Sequence, residues 1–325
     1  MSHAAARCRP RPAVEAGNAF RRAVPSQRRE RPRACGRYLH VVADDEHHLG
    51  TLDLQAPDGE LQLFRFRAGD LPADRHERKR SKPDLEALAM LPPEPGWPQG
   101  ALLAFGSGSR PQRQHAFLLA LDADGRIAGP PRALDLGPLY APLRERFTDL
   151  NIEGAFVAGG RMHLLQRAHR RQPRNACVSY DLVEMLSWIG VEACRTAAPS
   201  PVQCTDFALG TAAGVPYGFT DGAAWPGGGW VFTAVAEDTE DSYADGRCAG
   251  SAVGWVSGVG ALLDLQVLAG APKVEGVAVT EDSGLLLVTD ADDPQVASRL
   301  YALRAGAGVR LRAQPGPRAD GGGDS

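Results

Sequence analysis

The chain has 325 residues, 43% of them hydrophobic and 23% charged, with a formal net charge of −3, a balance that supports a substantial buried core and excludes disorder of the whole chain. That charge leaves no basic footprint for nucleic acid, and no apolar run reaches the length of about 18 residues that a membrane-crossing helix needs. Thirty-seven glycines and twenty-five prolines without a collagen period point to many short strands joined by tight turns, an all-β chain.

Residues 1–36 are rich in Arg and Pro and lack the apolar stretch of a secretory signal; they are predicted to be disordered, with a transit peptide or a misplaced start as alternatives, and the expected location is cytoplasmic. Strands are predicted at Arg37–Asp44, Gly50–Leu54 and Glu60–Phe66, the second, third and fourth of a unit whose first strand is not recognisable. The basic run Arg75–Lys82, interrupted by Glu77, lies between turn signals.

A strand, turn, strand, loop, strand grammar then recurs. It reads Asp84–Met90, Gly100–Ser109 and His115–Asp122, then Asn151–Val157, Arg161–Arg167 and Ala176–Leu182. It continues with Phe219–Trp225, Gly229–Val235 and Ser251–Val256, and is clearest from Lys273 to Gly306. Only Pro138–Phe147 and Leu182–Ile189 read as helices. An acid in each first strand, Glu86, Glu153, Asp221 and Glu275, gives spacings of 67, 68 and 54 residues, which suits four-stranded propeller blades with loop insertions. The predicted fold is a single β-propeller over 37–312 with five blades, or six if a degenerate blade hides in 183–215, followed by a disordered Gly-rich tail, 313–325. Ring closure is expected to join both ends of the repeat region within one blade.

The six cysteines contain no CxxC pair, so zinc is not suggested. Cys194 and Cys204 either pair across a loop or stay as free thiols.

The phrases KPDLEALAML, LLAFGSGS, NIEGAF, FTDGAAW and VEGVAV resemble the inner-strand signatures of phytase-like and SdiA-regulated-like bacterial β-propellers, above all an uncharacterised branch. The resemblance spans about residues 37–305 and implies the propeller fold. The calcium-rich pattern of the propeller phytases is incomplete in this chain.

In a propeller the first strands line the axis, so Glu86, Glu153, Asp221 and Glu275 are expected to converge. Carboxylates about 5 Å apart repel by roughly 3 kcal/mol at an effective dielectric near 20, so the group needs a cation, a proton or a basic partner. Calcium suits oxygen ligands, whereas Lys273 or Arg167 could supply the charge internally. Alternatively, the acids accept backbone N–H bonds from the next blade and lock the ring without a ligand.

Asp44 with Asp45, Ser107 with Ser109, Arg167, Glu237 with Asp238, and Asp290 with Asp292 follow the second strands and are expected to share one mouth as a polar ligand site. Gly106-Ser-Gly-Ser109 lacks the strand-to-helix setting of a nucleophile elbow, and Gly227-Gly-Gly229 reads as a hairpin turn. His47-His48, in an acidic turn, is expected to be exposed. Two functions follow: a propeller with an acidic central channel that binds a small polar or anionic molecule or a protein partner, or a calcium-dependent hydrolase of phosphoesters or lactones. Neither nucleic acid nor a membrane is an expected partner, and closure of the ring favours a monomer.

Overall fold

The computed structural model describes residues 30–56, 60–190, 197–240, 246–270, 272–290, 296 and 298–304. Its strands form five antiparallel sheets, each drawn from one continuous stretch of chain. The first blade holds β1 (Glu30–Cys35), β2 (Tyr38–Ala43), β3 (His48–Asp53) and β4 (Gln62–Arg65). Helix α1 (Arg75–Ser81) leads to the second, β5 (Leu85–Leu91), β6 (Ala101–Gly106), β7 (His115–Ala120) and β8 (Arg132–Asp135). After α2 (Gly137–Arg146) comes the third, β9 (Ile152–Ala158), β10 (Arg161–Gln166), β11 (Asn175–Asp181) and β12 (Gln203–Phe207), with α3 (Leu182–Gly190) between its last two strands. The fourth holds β13 (Thr211–Ala212), β14 (Val215–Ala224), β15 (Trp230–Asp238), β16 (Arg247–Val256) and β17 (Leu262–Val267). The fifth shows β18 (Val274–Val279), β19 (Gly284–Thr289) and β20 (Leu300–Arg304).

The inner strands β1, β5, β9, β14 and β18 neighbour one another in that order, and β18 returns to β1. The molecule is a five-bladed propeller. Residues 183–215 supply α3, β12 and β13 rather than a sixth blade. No helix of the described residues is long and apolar enough to cross a membrane.

Five apolar clusters occupy the five seams between blades. Because both faces of a blade are covered, its strands are apolar on successive positions instead of alternating with polar ones. On β5, Leu88 faces the first blade while Ala87, Ala89 and Leu91 face the third. The seam between the second and third blades also takes Leu139, Tyr140 and Leu143 from α2 and Met185, Leu186, Trp188 and Ile189 from α3. Among the described residues, that between the fifth and first has the fewest buried residues, Leu39, Val41, Leu52, Ala278 and Leu286.

Three expectations are corrected. Residues Glu30–Cys35, placed in the disordered segment, form β1, the inner strand missing from the first blade. Its sequence, Glu-Arg-Pro-Arg-Ala-Cys, carries no apolar period; the strand is defined by its pairing with β2, and an edge position tolerates Pro32. The two ends of the chain do not share a blade among the described residues, where closure is side-by-side packing of β1 and β18. The basic run is helix α1, started by Asp74, whose carboxylate accepts the Glu77 N–H at 2.9 Å. The Gly-rich tail 313–325 lies outside the described residues.

Candidate functional site

Strand direction brings the starts of β5, β9 and β18 and the ends of β2, β6, β10, β15 and β19 to one end of the ring. Each inner strand of blades two to five carries a β-bulge at this end. The pairing skips Glu86, Glu153, Thr220 and Glu275, and a bulge re-aims the side chain it displaces. The equivalent residue in the fourth blade is therefore Thr220, not Asp221. Thr220 is buried and bonds Thr233 Oγ1 (3.0 Å) and the Val274 carbonyl (2.9 Å). Asp221 accepts the N–H of Gly222 at 2.7 Å and that of Val277, on the next blade, at 3.0 Å. Asp221 is thus a tie between blades, the backbone-locking role.

The predicted residues fall into two groups. In the first, Lys82 contacts Asp44 and lies 2.8 Å from Asp84 Oδ1, while Arg113 Nη1 lies 2.9 Å from Asp84 Oδ2. The Ser107 hydroxyl donates to Asp84, and Arg113 also donates to Ser109 Oγ at 2.9 Å. Asp84 adopts φ +55°, a left-handed conformation for a non-glycine residue that the surrounding contacts hold in place. Burial opposes ionisation of Asp84, yet Lys82 and Arg113 hold its carboxyl well below the usual range; burial likewise opposes the Lys82 charge, which Asp44, Asp84 and Glu86 raise.

The Gly-Ser-Gly-Ser turn is shaped by close approach. A Cβ on Gly106 would lie 2.4 Å from the Arg113 carbonyl, and Gly108, at φ +74°, would meet the Tyr140 ring at 2.7 Å. Asp45 sits beside this group, with its carboxylate 3.3 Å from Arg78 Nε; burial, then the neighbouring Asp44, push its carboxyl up to about 7. His47 is buried, contrary to the expected exposure, and donates from Nδ1 to the Gly69 carbonyl at 2.9 Å.

In the second group Arg167 serves three acids: Glu237 Oε2 at 2.5 Å, Glu153 Oε2 at 3.2 Å and Glu275 Oε2 at 4.0 Å. Lys273 lies 3.1 Å from Glu237 and 3.6 Å from Glu275. The Asn151 amide donates to Glu153 at 2.7 Å, and the Asp290 N–H donates to the Lys273 carbonyl at 3.0 Å. All of these side chains are buried. The rim pairs Arg170 with Asp238 at 2.5 Å. Asp292 lies outside the described residues.

The four acids predicted to hold a metal do not form one ligand set. Among the described residues the group close enough to share an ion is Asp44, Asp84 and Glu86. Calcium does not fit there, because the Lys82 ammonium already lies against Asp44 and Asp84, and Asp84 Oδ2 is taken by Arg113 and the two serines. Lys82, Asp84 and Arg113 were not among the predicted site residues, although a polar residue two places before the bulge recurs as Asp84, Asn151 and Lys273. Cys177, Cys204 and Cys248 are free thiols, and Cys194 lies outside the described residues.

Residues 78–294 match the model of a family described as a family of unknown function, DUF6910. The chain belongs to this family. The match bears out the expected uncharacterised family and carries nothing specific to phytases. No curated protein sequence matches the chain.

Similar solved structures include a protein of unknown function from Bacteroides caccae (12% identity, TM-score 0.35), where the match covers 78% of this chain and 65% of that one. A luciferin-regenerating enzyme is similar at 12% identity and TM-score 0.45, over 88% of this chain and 94% of that one. The calcium-binding protein regucalcin of Agrobacterium tumefaciens is similar at 11% identity and TM-score 0.42, over 90% and 92%. Identities this low say nothing of activity.

Proposed function

We propose that the protein is a ligand-binding propeller whose axial end takes a small polar molecule carrying positive charge. The supporting observation is the gathering of carboxylates at this end: among the described side chains Asp44, Asp84, Glu86, Glu153, Glu237 and Glu275 are buried there around Lys82, Arg113, Arg167 and Lys273, and several of them share one cation. A cationic group entering this end meets carboxylates already arranged as acceptors, and charge-assisted hydrogen bonds of that kind are roughly twice as strong as neutral ones.

The same contacts argue against an anionic ligand, because Arg167 already serves Glu153, Glu237 and Glu275. They also favour binding over hydrolysis. A hydrolase needs a group ready to take a proton from water, whereas Asp84 is held ionised between two cations and the Ser107 hydroxyl points its proton at Asp84.

Thermal melts of the full chain with agmatine, calcium chloride or inorganic phosphate test this reading. Agmatine near 100 times its dissociation constant is expected to stabilise by about 2.7 kcal/mol, a melting shift of about 5 °C, and Glu237→Gln to remove most of it. Phosphate is expected to do nothing. Stabilisation by phosphate alone would overturn the proposal. A calcium shift abolished by Asp44→Asn would restore the metal-dependent alternative. No shift with any of the three, with Glu237→Gln weakening the protein in every buffer, would leave the acids as ties between blades.

A further inference from the structure

At the opposite end of the strands, between the third and fourth blades, lies a cavity of about 320 Å³ that the axial groups do not reach. Its walls follow from the register of β10, β11 and β12. His163 pairs with Ser179, and Ser179 with Gln203, so these three side chains share the face turned toward the fourth blade. Elsewhere that face is apolar, with Phe156, Leu165 and Phe207 packed against Trp230. Toward the hairpin ends it becomes polar, and the fourth blade contributes Gly229 and the turn Ser257–Gly260, in which Val259 is the one apolar side chain. The two blades consequently stand apart there.

The polar wall is ordered. His163 Nε2 faces the Ala158 carbonyl at 3.2 Å, so it carries the proton, and Nδ1 accepts from the Ser179 hydroxyl at 2.9 Å. Phe156 stacks on the imidazole at a centroid distance of 4.8 Å and an interplanar angle of 21°. Trp230 and Phe207, edge to face at 5.5 Å, form an apolar wall. At the rim, Arg161 donates to Gln203 Oε1 at 2.6 Å and has no acidic partner among the described residues. Arg161 is thus the charged side chain of the lining, and it is a cation.

We infer that this cleft is a second binding site, for a small organic anion whose acid group meets Arg161 and whose planar body lies between Trp230 and the His163–Ser179–Gln203 wall. A guanidinium fixed by one hydrogen bond retains donors for a carboxylate, and an aromatic wall beside convergent hydroxyl and amide groups is the usual make-up of a small-molecule pocket. The Ser179–His163 contact has the look of a nucleophile and its base. Burial nevertheless draws the His163 imidazole down to about 4, which weakens it as a base toward the serine hydroxyl, and the proposal is accordingly one of binding.

The test is titration of the full chain with benzoate and with its neutral analogue benzamide, following the Trp230 indole N–H by NMR, assigned with Trp230→Phe. Benzoate is expected to give a saturating shift in the millimolar range, benzamide to bind about tenfold more weakly, and Arg161→Gln to lower benzoate affinity about tenfold at unchanged melting temperature. Ser179→Ala is expected to weaken both ligands. Equal binding of benzoate and benzamide, full affinity in Arg161→Gln, or an unmoved Trp230 signal up to about 10 mM benzoate would each overturn the site. Failure here leaves the axial proposal intact, since the two sites share no residue.

Discussion

Arg167 stands where two blades and the strand beginning a third bring carboxylates together, and removing it takes a shared cation from the buried Glu153, Glu237 and Glu275, with Lys273 still beside the last two. Arg167→Met is therefore expected to cost about 3–5 kcal/mol, the range for a broken buried ion pair, against about 1–3 kcal/mol for Asp221→Asn, which weakens backbone ties alone. Urea titrations of both variants check the order, and a cost for Arg167→Met no larger than for Asp221→Asn would refute the shared-cation account.

Asp45 carries a pH signature. Its carboxyl is raised to about 7, so the stability it contributes is complete below about pH 4 and lost as pH rises through about 7. Asp45→Asn cannot titrate, and relative to wild type it is expected to gain up to about 3 kcal/mol on going from pH 5 to pH 8. His40, drawn down to about 4 by burial, works in the other direction, losing stability as pH falls through about 4, so the readout is the difference between variant and wild type across the series. A pH-independent difference would refute the assignment. Three of the four axial acids were legible because they recur by type. Thr220 was not, since an acid stands beside it. The structural spacing of 67, 67 and 55 residues shows the offset only once the bulges are known.

Among the elements, strands buried on both faces announced themselves as continuous apolar runs, and both predicted helices lie within a residue or two of α2 and α3. Two elements escaped for different reasons. Helix α1 had a local signal, the Asp74-x-x-Glu77 cap, overshadowed by a basic run that lies between turn signals. In the fold Arg78 and Lys82 turn toward Asp45, Glu46, Asp44 and Asp84, an arrangement no local pattern encodes. Strand β1 had no local signal at all, because its place is set by a partner strand rather than by its own period. The axial groups join residues tens of positions apart, as Arg113 with Asp84 and Arg167 with Glu237, so periodicity could place the acids but not choose their cations.

At the scale of the whole molecule, the ring depends on a strand that the composition of its segment would have discarded. Deletion through Cys35 removes β1, which pairs along its length with β2 and packs beside β18 and β5. It is expected to abolish the cooperative melt, whereas deletion through Arg29 retains it. Circular dichroism melts of the two truncations decide the point, and equal melting temperatures would show that β1 is dispensable.

Each sheet comes from an uninterrupted stretch of chain, so during synthesis a blade can complete its pairing as soon as its own residues leave the ribosome, without waiting for distant partners. One join alone spans the length of the chain, the docking of the last blade on the first, and among the described residues it closes over the smallest of the five apolar seams. A lineage that gained or lost a blade by duplication would need to rebuild that seam and no other.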